Sequence, residues 1–395
     1  MDTTAMPIRD GGRDEFLADA ERWLDAAIGR LRRRFSDWEF PHFACRRYWN
    51  EELCRANLVA LTWPREYGGR ALDTTALIKF HEMCAVRRAP QPLNSIAHSI
   101  LAPTLLQFGT HDQKARLLEG IRLGTEVWCQ GYSEPSSGSD LASVKSRAQL
   151  AGGQWVVNGH KIWTTQAHAA QWCFALVRTQ PGEKAHKGLS FMLIDMRSPG
   201  VRVQPIRQMT GEADYNECFF ENVHVPCENL VGGEGDGWRI AMAAAEYERG
   251  IYFLPRVIQL QAELEDVRAL FRKRPPKEPR GTALSARLSA LTDTCTVIRW
   301  RVDAILSRVT AGKTPGTNGA VLKLLWSEAR QAVMEIRMEL LGESAALGPH
   351  AGELYPEETV AVREFLWSRA ETIVAGTSEV QRNIIAERIL GLPKG

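Results

Sequence analysis

The feature that most constrains this fold is a hydrophobic period that changes twice along one chain. From about Asp14 to Thr125, apolar residues recur at three and four, as in EFLADAERWLDAAIGRLRRRF and HDQKARLLEGI, with breaks at WPREYGG and RRAPQP. That spacing lines one face of a helix. Between about Val127 and Gly232 the period becomes two: CFALVRT, LSFMLIDM, VRVQPI and ECFFENVHVP are separated by PGEK, RSPG and MTGEAD. Alternation of this kind marks strands. Within it, QWVVNGHKIWTT carries Asn158-Gly159 between β-favouring runs, which predicts a hairpin turn there. From Asp236 helical spacing returns over 237–271, 282–311, 318–345, about 357–372 and 378–390, with Asp236 as N-cap and Pro255 placed to kink the first helix. The expected fold is mainly α with an inserted β-domain, divided at 1–125, 126–235 and 236–395.

A chain of 395 residues exceeds one ordinary core, so two or three packed units are expected. Its net charge of +2 lacks the basic stripe of a nucleic-acid protein. The local runs RLRRR and RKRPPKEPR read as solvated helix face or linker. The 8 cysteines form no CxxC pair and no metal-ligand spacing, so neither a disulfide scaffold nor a metal site is expected. The start, MDTTAMPIRDGGRDEF, has no signal pattern, and no apolar run approaches membrane-spanning length. These features predict a cytoplasmic protein with reduced thiols.

Three segments carry chemistry. WCQGYSEPSSGSDLAS, at 128–143, is dense in hydroxyls and turn-tolerant residues; such a loop offers N–H groups and short donors to a polar or phosphate-bearing ligand. Read alone, such a loop is more often a surface turn, although the flanking Trp128 and Tyr132 are less typical of one. KIWTTQAHAAQW, at 161–172, puts Trp163 beside Thr164 and Thr165 at a strand end, an aromatic wall with two hydroxyls that suits an isoalloxazine ring. The alternative is a core tryptophan. IVAGTSEVQRNIIAERILGLP, at 373–393, has Ser378 and Gln381 at capping-box spacing, so a helix is expected to start at Ser378 and to present free N–H groups. The alternative is a capped terminal helix without a ligand.

A fourth segment, AAAEYERG at 243–250, carries two carboxylates two positions apart. On a helix they lie about 200° apart and cannot share a face. Glu248 has Ala244, Ala245, Ile251 and Tyr252 as its three-and-four neighbours, an apolar stripe; Glu246 can pair with Arg249. A glutamate on such a stripe is a candidate base, or a rim residue reaching for solvent.

GYSEPSSGSD, KIWTT, GEADYNECFFENVHVPCENLVGGEGDGW and AGTSEVQRNIIAERILGLP, in this order, resemble the acyl-CoA dehydrogenase family from about WPREYGG to the C-terminus. The resemblance implies an N-terminal helical domain, a central β-barrel-like domain and a C-terminal four-helix bundle, with FAD between the last two and completed by a neighbouring subunit. By position, Gln130, Tyr132, Ser133, Gly138 and Ser139 match the family's flavin loop, and Ser139 also approaches CoA. Trp163, Thr164 and Thr165 match flavin-ring contacts, and Thr377 and Glu379 match contacts at the last helix.

The implied reaction is dehydrogenation of an acyl-CoA to a 2,3-enoyl-CoA, with electrons passed to electron-transfer flavoprotein. Many members place the catalytic glutamate immediately before the Gly-Thr of the terminal motif, where this chain has Ala375. The backbone at Ala375 and Gly376 can still meet the thioester carbonyl. A second family solution takes the base from the helix after the β-domain, just before an arginine, and Glu248-Arg249 matches it; Glu246 and Arg249 would help position CoA. The family's Arg-x-x-Phe-Gly segment, which reaches a partner's FAD pyrophosphate, is absent: RKRPPKEPRGTALSARL stands there, with Arg280 or Arg287 as candidate replacements, and ELLGESAALGP replaces a glycine-rich patch. These departures, with KIWTTQAHAAQW and VLKLLWSEAR, resemble the bacterial members that act on steroid side chains as heterotetramers of two unlike chains. A homo- or hetero-oligomer, dimer or tetramer, is therefore expected, with a branched or bulky acyl group. Two alternatives share the fold: a flavin monooxygenase, and a non-catalytic partner subunit.

Overall fold

The computed structural model describes residues 12–35, 43–180, 186–249, 253–311, 318–347 and 356–394, with the side chains of 248, 249, 253, 254, 309, 310, 347 and 356–358 outside the description. Two compact units form. The first comprises 1–13, 41–73 and 90–247; the second comprises 14–40, 74–89 and 248–395. In chain order the early helices are α1 (Arg13–Arg34), α2 (Phe43–Arg55), α3 (Thr74–Val86), α4 (Ala102–Phe108) and α5 (His111–Leu123). The strands are β1 (Trp128–Gly131), β2 (Arg147–Ala151), β3 (Gln154–Thr165), β4 (Trp172–Arg178), β5 (Leu189–Asp195), β6 (Val201–Ile206), β7 (Tyr215–Pro226) and β8 (Leu230–Val231). Then come α6 (Gly237–Arg249), α7 (Phe253–Lys273), α8 (Arg280–Thr310), α9 (Asn318–Leu341), α10 (Pro356–Glu371) and α11 (Ser378–Ile384). Among the described residues no helix is long and apolar enough to cross a membrane.

The strands form one mixed sheet in the order β6-β7-β3-β2-β4-β5-β8, with β1 parallel to β4. A single parallel pair, Arg147 with Arg178, joins β2 to β4, so the sheet is nearly two halves. Val157, Phe220 and Val223 from one half and Cys173, Val177 and Ile194 from the other close on a shared core. The opposite face of β4 and β5, through Phe174, Leu176, Phe191 and Leu193, packs on Leu105, Leu117, Leu118, Ile240 and Ala241 of the helices. Burial on both faces explains why CFALV and LSFMLI are continuous apolar runs and not alternating ones.

The expected hairpin at Asn158-Gly159 is not formed. β3 runs through it, paired with β7 from Gln154 opposite Pro226 to Thr165 opposite Tyr215, with a register shift between Val157 and Gly159. The turn lies earlier, at Gly152-Gly153, whose φ angles of 58° and 77° suit a two-residue hairpin loop. Gly159 answers to close packing: a Cβ there would lie 2.0 Å from Ser146 Oγ and 2.8 Å from Ser146 Cα. Asn158 Oδ1 accepts the Asn222 N–H at 2.9 Å, bracing the bulge.

The expected helix 237–271 is two helices, α6 ending at Arg249 and α7 starting at Phe253. Pro255 falls in the first turn of α7, where a missing N–H breaks no helical bond. Asp236 starts α6 as expected: its carbonyl accepts from Ile240 N at 3.1 Å, and its Oδ2 takes the Gly233 N–H at 2.9 Å.

In the second unit, Ile78 of α3 joins Val257, Leu264, Ile298, Trp326, Val333 and Ile336 in one core. A buried Arg330 on α9 contacts Glu263 of α7 at 2.9 Å, Glu371 at 2.6 Å and Glu364, the latter two on α10. Burial raises the Glu371 carboxyl, against the opposing pull of Arg330. This cluster anchors the chain immediately before the turn 372–377.

Candidate functional site

In the first unit, backbone and ion-pair contacts bring the loop after β1 to the end of β3. Ile162 N donates to Ser133 O at 2.9 Å, and Lys161 Nζ to Tyr132 O at 3.1 Å. Gln130, Tyr132 and Ser133 are half-buried, and Gly138 and Ser139 are exposed. A Cβ at Gly138 would meet nothing within 4 Å, so the loop surface there is open. The Tyr132 ring stands edge-on to Phe174 and Phe191, at 6.0 and 6.3 Å.

Trp163 owes its position to a second register shift in β3, between Lys161 and Thr164. The bulge leaves its φ at 60°, in the left-handed region that a bulky residue seldom occupies, and leaves 55% of the side chain exposed. Its indole meets Tyr215 edge-on at 6.1 Å. Thr165 is half-buried. Thr164 is fully buried, its hydroxyl without a hydrogen-bond partner among the described residues and its carbonyl accepting from Asn216 Nδ2 at 3.0 Å. The strand end therefore offers one outer hydroxyl where the sequence predicts two.

The loop is organised around a residue that motif reading overlooks. Glu134, almost wholly buried, accepts from Lys145 N at 2.6 Å, Ser146 N at 2.8 Å and Lys161 Nζ at 2.8 Å. Burial pushes the Glu134 carboxyl up, but the Lys161 charge and these donors outweigh it and hold it below its ordinary value. Burial lowers Lys161 in turn. The available signal was Lys161 itself: a lysine on the core side of a strand requires a buried carboxylate.

In the second unit, the turn before α11 begins with Ala375 at φ 55° and Gly376 at φ 91°. The cap is Thr377, whose Oγ1 accepts from Val380 N at 3.2 Å, so the expected Ser378–Gln381 capping box is not the device used. Ser378 is the first helical residue, as expected, and is buried; Glu379 is exposed, with its carboxyl held below the ordinary value by its own N–H and by Thr377. Arg280 and Arg287 are both tied to Glu339, at 3.1 and 2.7 Å.

Glu246 is exposed on α6, and Ala244 two residues earlier is buried. The backbone stays helical through Glu248 and Arg249, but both side chains lie outside the described residues.

These residues fit a planar cofactor with polar edges. An exposed indole on a strained bulge is a ready stacking wall, and the open loop beside it supplies small residues and hydroxyls. On this geometry, Trp163, Thr165 and the 130–139 loop are the first unit's candidates to hold FAD.

Comparison with known proteins gives the lineage. Family models for the acyl-CoA dehydrogenase N-terminal, middle and C-terminal domains match residues 13–125, 129–223 and 235–390. The chain is 42% identical over 356 residues to acyl-CoA dehydrogenase IpdE1 of Mycobacterium tuberculosis, covering 90% of each. It is 38% identical over 405 residues to IpdE1 of Mycolicibacterium smegmatis, covering 96% of this chain and 98% of that one. The solved ChsE4-ChsE5 complex from Mycobacterium tuberculosis is similar in fold, with TM-score 0.79 and 27% identity over 97% of this chain and 98% of that one. A bulge-mounted tryptophan beside an open polar loop, in a helix–sheet–helix chain matched along nearly its whole length, makes this protein a member of the FAD-dependent acyl-CoA dehydrogenase family.

Proposed function

We propose that this oxidoreductase dehydrogenates an acyl-CoA thioester to its 2,3-enoyl-CoA, with Glu248 as the base. The observation that carries this reading is Ala375. It fills the position before Gly376-Thr377, on a left-handed turn, with a methyl group that cannot take a proton. A base must then come from elsewhere, and Glu248-Arg249 stands on the helix that follows the sheet. Its backbone position lies about 200° around the helix from that of the exposed Glu246 and one turn after the buried Ala244. A dry carboxylate has the raised proton affinity that removal of an α-proton requires.

In this reading the bound FAD would supply the acceptor for the β-hydride, with electron-transfer flavoprotein as the onward electron acceptor. Gln130, Tyr132, Ser133, Gly138 and Ser139 of the loop, with Trp163, Thr164 and Thr165 at the strand end, would hold it. Thr377 and Glu379, at the start of the last helix, are the second unit's candidates for a cofactor contact. Ser139, Glu246 and Arg249 position CoA, while the backbone at Ala375 and Gly376 receives the thioester carbonyl. The small Ala375 leaves room for a branched or bulky acyl chain of the steroid side-chain kind. The relative solved as a two-protein complex supports assembly with an unlike chain.

Anaerobic titration of the FAD-loaded protein, co-expressed with an unlike chain where FAD retention requires one, with straight, branched and steroid-side-chain CoA esters tests this, read by loss of flavin absorbance. Bleaching by bulky esters is expected. Glu248→Gln should bind the same esters and reduce the flavin at least about 100-fold more slowly. A Glu248→Gln protein that bleaches at the native rate, or a product formed only with oxygen and without a CoA ester, would overturn the reading.

A further inference from the structure

The turn from Thr372 to Thr377 is held with unusual care. Ser378 N donates to Thr372 O at 3.0 Å. Gln381, fully buried, gives its amide nitrogen to both Ala375 O at 3.1 Å and Gly376 O at 3.2 Å. Two features of this arrangement cost stability. Ala375 has a Cβ on a left-handed backbone, and Gln381 Oε1 is buried without a partner among the described residues. A capped helix end needs neither, so their coincidence on one turn calls for a use.

Peptide geometry supplies it. In a planar trans peptide the N–H points opposite the C=O. Holding the Ala375 and Gly376 carbonyls on the Gln381 side therefore turns the N–H groups of Gly376 and Thr377 to the other side. Neither of these, nor the Ala375 N–H, has an acceptor among the described residues. The turn thus carries carbonyls pinned on one side and uncommitted donors on the other.

We infer that Gln381 is a positioning residue: its buried amide holds the Ala375-Gly376-Thr377 turn so that the backbone N–H groups meet the substrate's thioester carbonyl oxygen. This rests on the dehydrogenase reading above. As the α-proton leaves for Glu248, negative charge builds on that oxygen, and donors fixed beforehand stabilise it without reorganising. Gln381 touches no substrate and acts only through the backbone it holds.

Gln381→Met keeps the side chain's size and removes both amide donors. The test uses the FAD-loaded enzyme with a bound enoyl-CoA carrying a ¹³C label at the thioester carbonyl, read by difference infrared spectroscopy beside kinetics. The native protein should shift the carbonyl stretch to lower frequency. Gln381→Met should lose most of that shift and about 100-fold in kcat, with KM and FAD affinity changed less than about threefold. A variant that melts earlier yet keeps the shift and kcat would reduce Gln381 to a cap and overturn the inference. Should Gln381→Met not fold, Gln381→Glu decides: it can donate only when protonated, so its shift and kcat must both fall with rising pH through an ionisation absent from the native protein. Parallel pH profiles would overturn the inference. Absence of a carbonyl shift and of flavin reduction in the native protein would reject the dehydrogenase reading itself, a result distinct from failure of the variant alone.

Discussion

Trp163 is exposed on a backbone that bulky residues avoid, so its cost in the free protein must be recovered on binding. A planar ring stacked on the indole would recover roughly 0.5–1.5 kcal/mol. Trp163→Ala is therefore expected to weaken FAD binding by roughly threefold to tenfold, measured by fluorescence quenching. The melting temperature of the FAD-free protein should change little, because more than half of Trp163 is exposed. Unchanged FAD affinity would return Trp163 to an ordinary surface aromatic. At this scale the sequence was partly legible. The residue types in KIWTT pointed to a ring site, but the bulge that turns Trp163 out and Thr164 in depends on pairing with β7, which no local pattern encodes. Ala375 was legible for the opposite reason: a missing carboxylate is visible in the string itself.

Among the elements, the loop after β1 depends on one buried ion pair. Lys161 is 0% and Glu134 5% exposed, so removing one charge strands the other. Glu134→Gln is expected to cost about 3–5 kcal/mol in denaturant unfolding. Because the folded Glu134 carboxyl is held down, its contribution is full above the ordinary value of 4.5 and is lost as pH falls below it toward the depressed value. Stability of the native protein should fall across that acid window, and Glu134→Gln should flatten the fall; an equal slope in both would remove the pair from the account. The bulge in β3 gives a second test. Gly159→Ala drives a methyl into Ser146 and is expected to cost about 1–3 kcal/mol, whereas Gly138→Ala, at an open position, should unfold with the native midpoint. The Asn-Gly signal misled because both readings use the same two residues. A turn needs their left-handed freedom; a bulge under a close neighbour needs the absence of a side chain. Helix starts were easier to read where the signal is local, as at Asp236 and Ser378, but the break between α6 and α7 was not. The grouping of α1 and α3 with the C-terminal helices was not, since periodicity names a buried face without naming what covers it.

For the whole molecule, the question is what completes the cofactor site. The family's Arg-x-x-Phe-Gly segment is absent, and the two candidate replacements, Arg280 and Arg287, are drawn to Glu339 on α9. These are partly exposed ion pairs, worth little individually, so their geometry can change on assembly; what they do not supply in this chain is a free guanidinium. A pyrophosphate left without its arginine loses a charge-assisted pair of bonds. If an unlike chain provides that contact, FAD retention becomes a property of the assembly, because a ligand that binds only the assembled form pulls the equilibrium toward it. The chain purified alone is then expected to carry well under one FAD per protomer. Co-expression with an unlike acyl-CoA dehydrogenase chain should raise FAD content and thermal stability together, read by flavin absorbance and light scattering. Stoichiometric FAD in the lone chain, bleached by acyl-CoA, would mean that this protein completes its own site, and the search for the pyrophosphate contact would return to Arg280 and Arg287.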